Sequence, residues 1–126
     1  MNVLLDTCAL LALARGELPE RVTEVLVKAP EANVCLITPW EVAIKVARGK
    51  IRLNQPPIQW FLGLVEQYVL REIPLDAQLV CAAVALPPIH RDPFDRVLVA
   101  LAHSRALTVL TSDQNIPRYP GITTLW

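Results

Sequence analysis

His90-Arg91-Asp92-Pro93-Phe94-Asp95-Arg96, running on into Val97-Leu98-Val99-Ala100-Leu101-Ala102, is the stretch from which the chain is read. Asp92 is placed to cap a helix, Pro93 suits the first helical position, and Asp95 falls in the same first turn. Phe94, Val97, Leu98 and Leu101 then recur at i, i+3, i+4 and i+7, which predicts a helix with one buried stripe. Asp92 and Asp95, three residues apart, face the same side of the helix start. A single carboxylate there is ordinary capping. Two of them, with further acidic helix starts elsewhere, raise the prospect of a shared site.

Outward from this helix, short β-prone runs alternate with amphipathic helical patterns. Asn2–Leu5, Asn33–Ile37, Tyr68–Ile73, Leu107–Thr111 and Gly121–Trp126 read as five strands, the last near an edge. Helices are expected over Cys8–Arg15, from Pro19 to Lys28, after Thr38, around Ile58–Val65, over Ala77–Leu86 and after Pro93. Thr38-Pro39-Trp40-Glu41 has the pattern of a capping box, with Trp40, Ala43, Ile44 and Ala47 as its helix's buried stripe. Asp76 reads as a cap and nothing more. Strand–helix alternation on this scale favours an α/β layer architecture with a parallel sheet. A length of 126 residues at 53% hydrophobic composition suits one domain, residues 1–126.

Twelve basic and twelve acidic residues cancel, which excludes a partner gripped through a global positive field. Arg48, Lys50 and Arg52 make the densest local basic patch. Cys8, Cys35 and Cys81 are odd in number and lie in apolar runs, so buried reduced thiols are expected rather than a disulfide framework. The first residues lack a basic segment ahead of an apolar run, and no apolar run approaches the length of a membrane span. The expectation is a cytoplasmic protein without a membrane anchor.

The chain has five aspartates, at positions 6, 76, 92, 95 and 113. Four of the five follow a strand or open a helix beside a crossover, and Glu41 makes a similar entry. In a parallel sheet these junctions share one edge, where ligands bind. Converging anions repel and raise one another's pKa, a strain that a hard divalent cation relieves. Oxygen ligands without convincing His or Cys support point to Mg²⁺ or Mn²⁺ rather than zinc. Such a site suits phosphoryl chemistry on an anionic substrate. Thr111 or Ser112 is placed to orient a carboxylate or a water, and Arg96 to contact phosphate or to pair with Asp95. His90 and His103 are read as surface or supporting residues, neither as a ligand.

Leu4-Leu5-Asp6-Thr7, Trp40-Glu41-Val42-Ala43-Ile44-Lys45 with Gly49-Lys50-Ile51, His90-Arg91-Asp92-Pro93-Phe94-Asp95-Arg96 and Thr111-Ser112-Asp113 occur in that order. Together with Tyr119-Pro120-Gly121-Ile122 they give a chain that resembles, over nearly its whole length, the PIN-domain ribonucleases. Within them it is most similar to the VapC toxins of toxin–antitoxin pairs. The resemblance implies a parallel β-sheet flanked by α-helices. It implies that Asp6, Glu41, Asp95 and Asp113 are the catalytic acids and the ligands of Mg²⁺ or Mn²⁺, hydrolysing RNA with water as nucleophile. Asp92 then becomes chiefly a cap. The resemblance also implies a homodimer paired with a cognate VapB-type antitoxin.

Two other classes compete. A phospho-acceptor signalling domain gathers aspartates around Mg²⁺, but wants an adjacent acidic pair after the first strand and a Lys near the last. Asp6 stands alone here, and Ile122–Trp126 has no Lys. A catalytically silent RNA-binding module is the other, and it has no need of four intact acids.

Overall fold

Val3, Leu4 and Leu5 form β1 (Val3–Leu5), and all three side chains are fully buried. A strand that apolar throughout belongs in the middle of a sheet covered on both faces. The computed structural model, which describes residues 1–126, puts it there. After β1 come α1 (Thr7–Arg15), α2 (Glu20–Lys28), β2 (Ala32–Cys35), α3 (Ile37–Ala47) and α4 (Pro57–Tyr68). The chain continues through β3 (Arg71–Ile73), α5 (Ala77–Ala85), α6 (Pro93–Arg105), β4 (Thr108–Leu110), a 3-10 turn at Ile116–Arg118 and β5 (Thr123–Leu125). The five strands are all parallel in the order β3-β2-β1-β4-β5. The expected α/β architecture, a parallel sheet flanked by helices, is the observed one.

Side-chain alternation divides the core in two. Leu4, Cys35 and Val109 face α5 and α6, meeting Leu79, Ala83, Leu98 and Leu101. Val3, Leu5, Val34 and Leu110 face the other way, onto Leu10 and Leu13 of α1, Val22 and Leu26 of α2, and Phe61 and Leu64 of α4. The chain builds outward from β1 through β2 to β3, then crosses back to add β4 and β5 on the other side. The order therefore reverses between β1 and β4, and a crevice opens beyond their carboxyl ends.

The caps expected at Asp76 and Asp92 are present, and Asp6 makes a third. Asp6 accepts from the Ala9 amide at 2.8 Å, Asp76 from Leu79 at 2.7 Å and Asp92 from Phe94 at 2.9 Å. The capping box at Thr38 is not. Sheet pairing continues through Leu36, whose amide donates to the Ile73 carbonyl at 2.9 Å, and α3 begins at once with Ile37. Thr38 thus lies inside the helix, buried, its hydroxyl without a hydrogen-bond partner. The stripe also differs: Ile37, Thr38, Glu41 and Val42 face inward, while Trp40 is 57% exposed. Tyr68 belongs to α4 rather than to a strand, because Val69 turns the chain in the left-handed region at φ 53°. Among the cysteines only Cys35 is buried; Cys8 and Cys81 are exposed, and all three are free.

Candidate metal centre

The crevice beyond β1 and β4 collects the acidic residues. Asp6 follows directly on β1 and is 1% exposed. One oxygen caps α1 through Ala9, and the other accepts from the Thr111 hydroxyl, one residue past β4. Burial is the main reason its carboxyl is pushed up to about 6, against the help of the Thr111 and Ala9 bonds; the charges of Asp113 and Glu41 add to the rise.

Glu41 enters from the second turn of α3, also buried. Its Oε1 accepts from the Thr7 hydroxyl at 2.6 Å, and Oε2 pairs with Lys45 Nζ at 2.8 Å, one helical turn on. Burial works against the Lys45 charge, yet the bond to Glu41 holds its pKa above the ordinary value. The reciprocating bond to Thr38 expected from the sequence is replaced by these two.

Asp95 sits in the first turn of α6, which Asp92 caps and Pro93 opens. Burial, then the neighbouring charges of Asp92 and Glu41, push its carboxyl up to about 7, although His90 opposes the shift. Asp113 lies on the loop after β4. Burial alone would raise it, but the amide of Asn115, at 2.7 Å, and the His90 ring hold its carboxyl below the usual range. The Asp113 amide in turn donates to Thr111 Oγ1 at 2.9 Å.

These bonds make one connected array. Glu41 is bonded to Thr7, the next residue along the chain from Asp6, Thr111 joins Asp6 to Asp113, and the His90 ring joins Asp113 to Asp95. His90 Nε2 stands 3.1 Å from Asp95 Oδ2 and 3.1 Å from Asp113 Oδ2. The donor atoms of His90, Asp95 and Asp113 all lie within 4.8 Å of one another. Asp6 and Glu41 stand alongside, coupled to that group through charge and through the two threonines. The four acids singled out in the sequence thus border one crevice, but only two belong to the tightest cluster.

His90 is the residue that the sequence reading set aside. Its signal was available: it stands two residues before a helix-capping aspartate, in a loop stiffened by Pro87 and Pro88. Thr111 orients Asp6, as one of two candidates for that task, while Ser112 is exposed. Arg96 neither reaches into the crevice nor pairs with Asp95. Its guanidinium donates to the carbonyls of Ala83, Val84, Leu86, Pro87 and His90 at 2.8–3.1 Å and to Tyr119 Oη at 3.4 Å. It therefore binds the end of α5 and the following loop to α6.

Hard oxygen donors, two of them made reluctant to ionise by burial and neighbouring charge, fit a divalent cation of the Mg²⁺ or Mn²⁺ type. Cys8, beside Asp6, does not add a thiolate. Desolvation of its sulfur and the charges of Asp6 and Asp95 push its thiol up to about 11.

The profile of the PIN domain family matches residues 3–122. No curated protein matches the chain. Among solved structures, VapBC2 from Rickettsia felis bound to a promoter DNA fragment is similar at a TM-score of 0.76 and 15% identity, covering 100% of this chain and 99% of that one. DNA-bound VapBC from Salmonella typhimurium follows at 0.70 and 21% identity, covering 99% and 97%. PAE2754 from Pyrobaculum aerophilum is similar at 0.57 and 17% identity, covering 98% and 89%. At these identities the likeness to solved structures concerns the fold.

Proposed function

The chain belongs to the PIN domain family, and from that premise we propose that residues 1–126 form one PIN domain acting as a metal-dependent endoribonuclease, the toxin of a VapBC-type toxin–antitoxin pair. The observation that carries this reading is the bonded array linking Glu41, Asp6, Asp113 and Asp95 at the reversal point of the sheet. Asp6, Glu41, Asp95 and Asp113 would hold Mg²⁺ or Mn²⁺. A cation bound there would withdraw charge from a phosphodiester and help ionise the attacking water.

The chain's own groups have defined tasks in this reading. Asp6 and Asp95 lie at about 6 and about 7 in the absence of a cation, so protons compete with a ligand for their oxygens as pH falls toward and below neutrality. Thr111 and Thr7 fix the carboxylates of Asp6 and Glu41 by donating one hydroxyl hydrogen to each. Lys45 neutralises Glu41, which lets a polyanion approach a pocket of like charge. Arg48, Lys50 and Arg52 are exposed where the chain leaves α3, and supply phosphate contacts along the RNA backbone.

Two partners belong to the proposal. Two of the similar solved structures are VapBC complexes, which favours a VapB-type antitoxin for this chain. Trp40, Phe94, Val80 and Val84 line one apolar groove between α3, α5 and α6, which favours a homodimer. No helix is long and apolar enough to cross a membrane, in keeping with a cytoplasmic site of action. The test is incubation of the purified chain with total RNA and Mn²⁺, with and without EDTA. Cleavage that EDTA stops, and that Asp6→Asn loses, supports the reading; no cation-dependent cleavage by any folded preparation refutes it.

A further inference from the structure

His90 stands between two carboxylates, a place suited to a cation, yet its ring is not available as a ligand. The Asp92 amide donates to Nδ1 at 3.2 Å. A neutral imidazole has one N–H and one lone pair, and Asp92 has taken the lone pair. Nε2 therefore carries the hydrogen, shared between Asp95 Oδ2 and Asp113 Oδ2 at 3.1 Å each. A nitrogen bearing hydrogen has nothing left to offer a cation.

The ring has little freedom to turn away. The His90 amide donates to Tyr119 Oη at 2.9 Å, and the His90 carbonyl accepts from Arg96 at 3.1 Å. The same guanidinium grips four more carbonyls from α5 and its loop. Tyr119 is itself buried, 3% exposed. Arg96 and Tyr119 are thus anchors that set where the imidazole points. Asp95 and Asp113 come from separate elements, a helix start and a loop after β4, and the His90 ring is the group that bonds to both.

We propose that His90 is a positioning residue: its Nε2–H clamps Asp95 and Asp113 at a common separation before any cation arrives, and Arg96 with Tyr119 holds the clamp. The inference rests on the cation-site reading above and assigns His90 a hydrogen-bonding role rather than a ligating one. Each carboxylate keeps lone pairs free of the imidazole, so the clamp and a cation can act together.

The full-length chain is studied as wild type, His90→Ala, His90→Gln and Tyr119→Phe, each checked for folding by circular dichroism. Nitrogen NMR of the imidazole, before and after Mg²⁺ addition, reads the tautomer; calorimetric titration with Mn²⁺ reads affinity. The wild type should show the Nε2–H form throughout. His90→Ala should lose roughly 10- to 100-fold in Mn²⁺ affinity, the range for groups that orient ligands. His90→Gln, which restores a donor, should recover part of it, and Tyr119→Phe should show a smaller loss. An Nδ1–H tautomer, an Nε2 signal moved by ligation, or wild-type affinity in His90→Ala overturns the clamp while leaving the cation site standing. A folded wild type that binds no Mn²⁺ removes the cation site and the clamp together. Should His90→Ala fail to fold, the Gln and Phe variants decide the matter, and unchanged affinity in both counts against the clamp.

Discussion

Replacing Asp95 with Asn should make the metal-free protein more stable at alkaline pH, and the size of the gain follows from the site. Asp95 is raised from 3.8 to about 7, chiefly by burial and then by Asp92 and Glu41. At about 1.4 kcal/mol per pH unit, keeping it ionised in the folded state costs on the order of 4 kcal/mol above pH 8. The folded pKa lies above the unfolded one, so the stability linked to this group is complete below pH 3.8 and is lost as pH rises through about 7. Asn keeps the shape and one acceptor for His90, but forfeits a favourable charge at the start of α6, worth roughly 0.3–1 kcal/mol. The net expectation is a gain of about 2–4 kcal/mol at pH 8.5, or on the order of 10 °C in midpoint. By pH 5 the gain should fall below about 2 kcal/mol, because the wild-type carboxyl is then mostly protonated. Urea titrations in EDTA at the two pH values measure both numbers. A variant no more stable than wild type at pH 8.5, or a gain that does not shrink toward pH 5, would refute the account of a strained acid.

Other outcomes follow from particular contacts. Adding Mn²⁺ to the wild type at about 100 times its dissociation constant should stabilise it by about 2.7 kcal/mol, seen as a higher melting midpoint. That increment should fade as pH drops below the Asp95 and Asp6 values of about 7 and about 6, where protons compete. Asp6→Asn should abolish cation-dependent RNA cleavage in a gel assay yet leave a cooperative melt, since Asn still caps α1. Arg96→Met removes the donors serving five carbonyls and should destabilise by about 2–4 kcal/mol in urea. Val69→Gly should stabilise by about 0.5–1 kcal/mol, because Val69 is 84% exposed and holds φ 53°, a conformation that suits glycine.

The sheet and its helices were legible because local signals agreed with the fold. The buried strands were largely apolar or β-branched runs, and Asp6, Asp76 and Asp92 each cap the helix that they precede. The helix after β2 was harder. Ile37, Val42, Ile44 and Val46 make it apolar nearly all round, so periodicity alone does not fix its inward face. Glu41 turns inward because Thr7 and Lys45, one of them distant in sequence, satisfy both oxygens; Trp40 is carried outward by the same rotation. Sequence also suggested which acids meet, since strand ends in a parallel sheet share an edge. It gave no measure of how tightly they meet, nor that an imidazole stands between two of them. Arg96 was misjudged for the same reason: five backbone carbonyls have no signature in the sequence.

The central place of β1 has a consequence for synthesis. Its flanking partners lie far apart in the chain, Val34 on one side and Leu110 on the other. Asp6 is synthesised more than a hundred residues before Thr111, which orients it, and before Tyr119, whose hydroxyl accepts from the His90 amide. An elongating polypeptide therefore carries its acids unassembled, and the pocket closes only after β4 and the loop beyond it have been made.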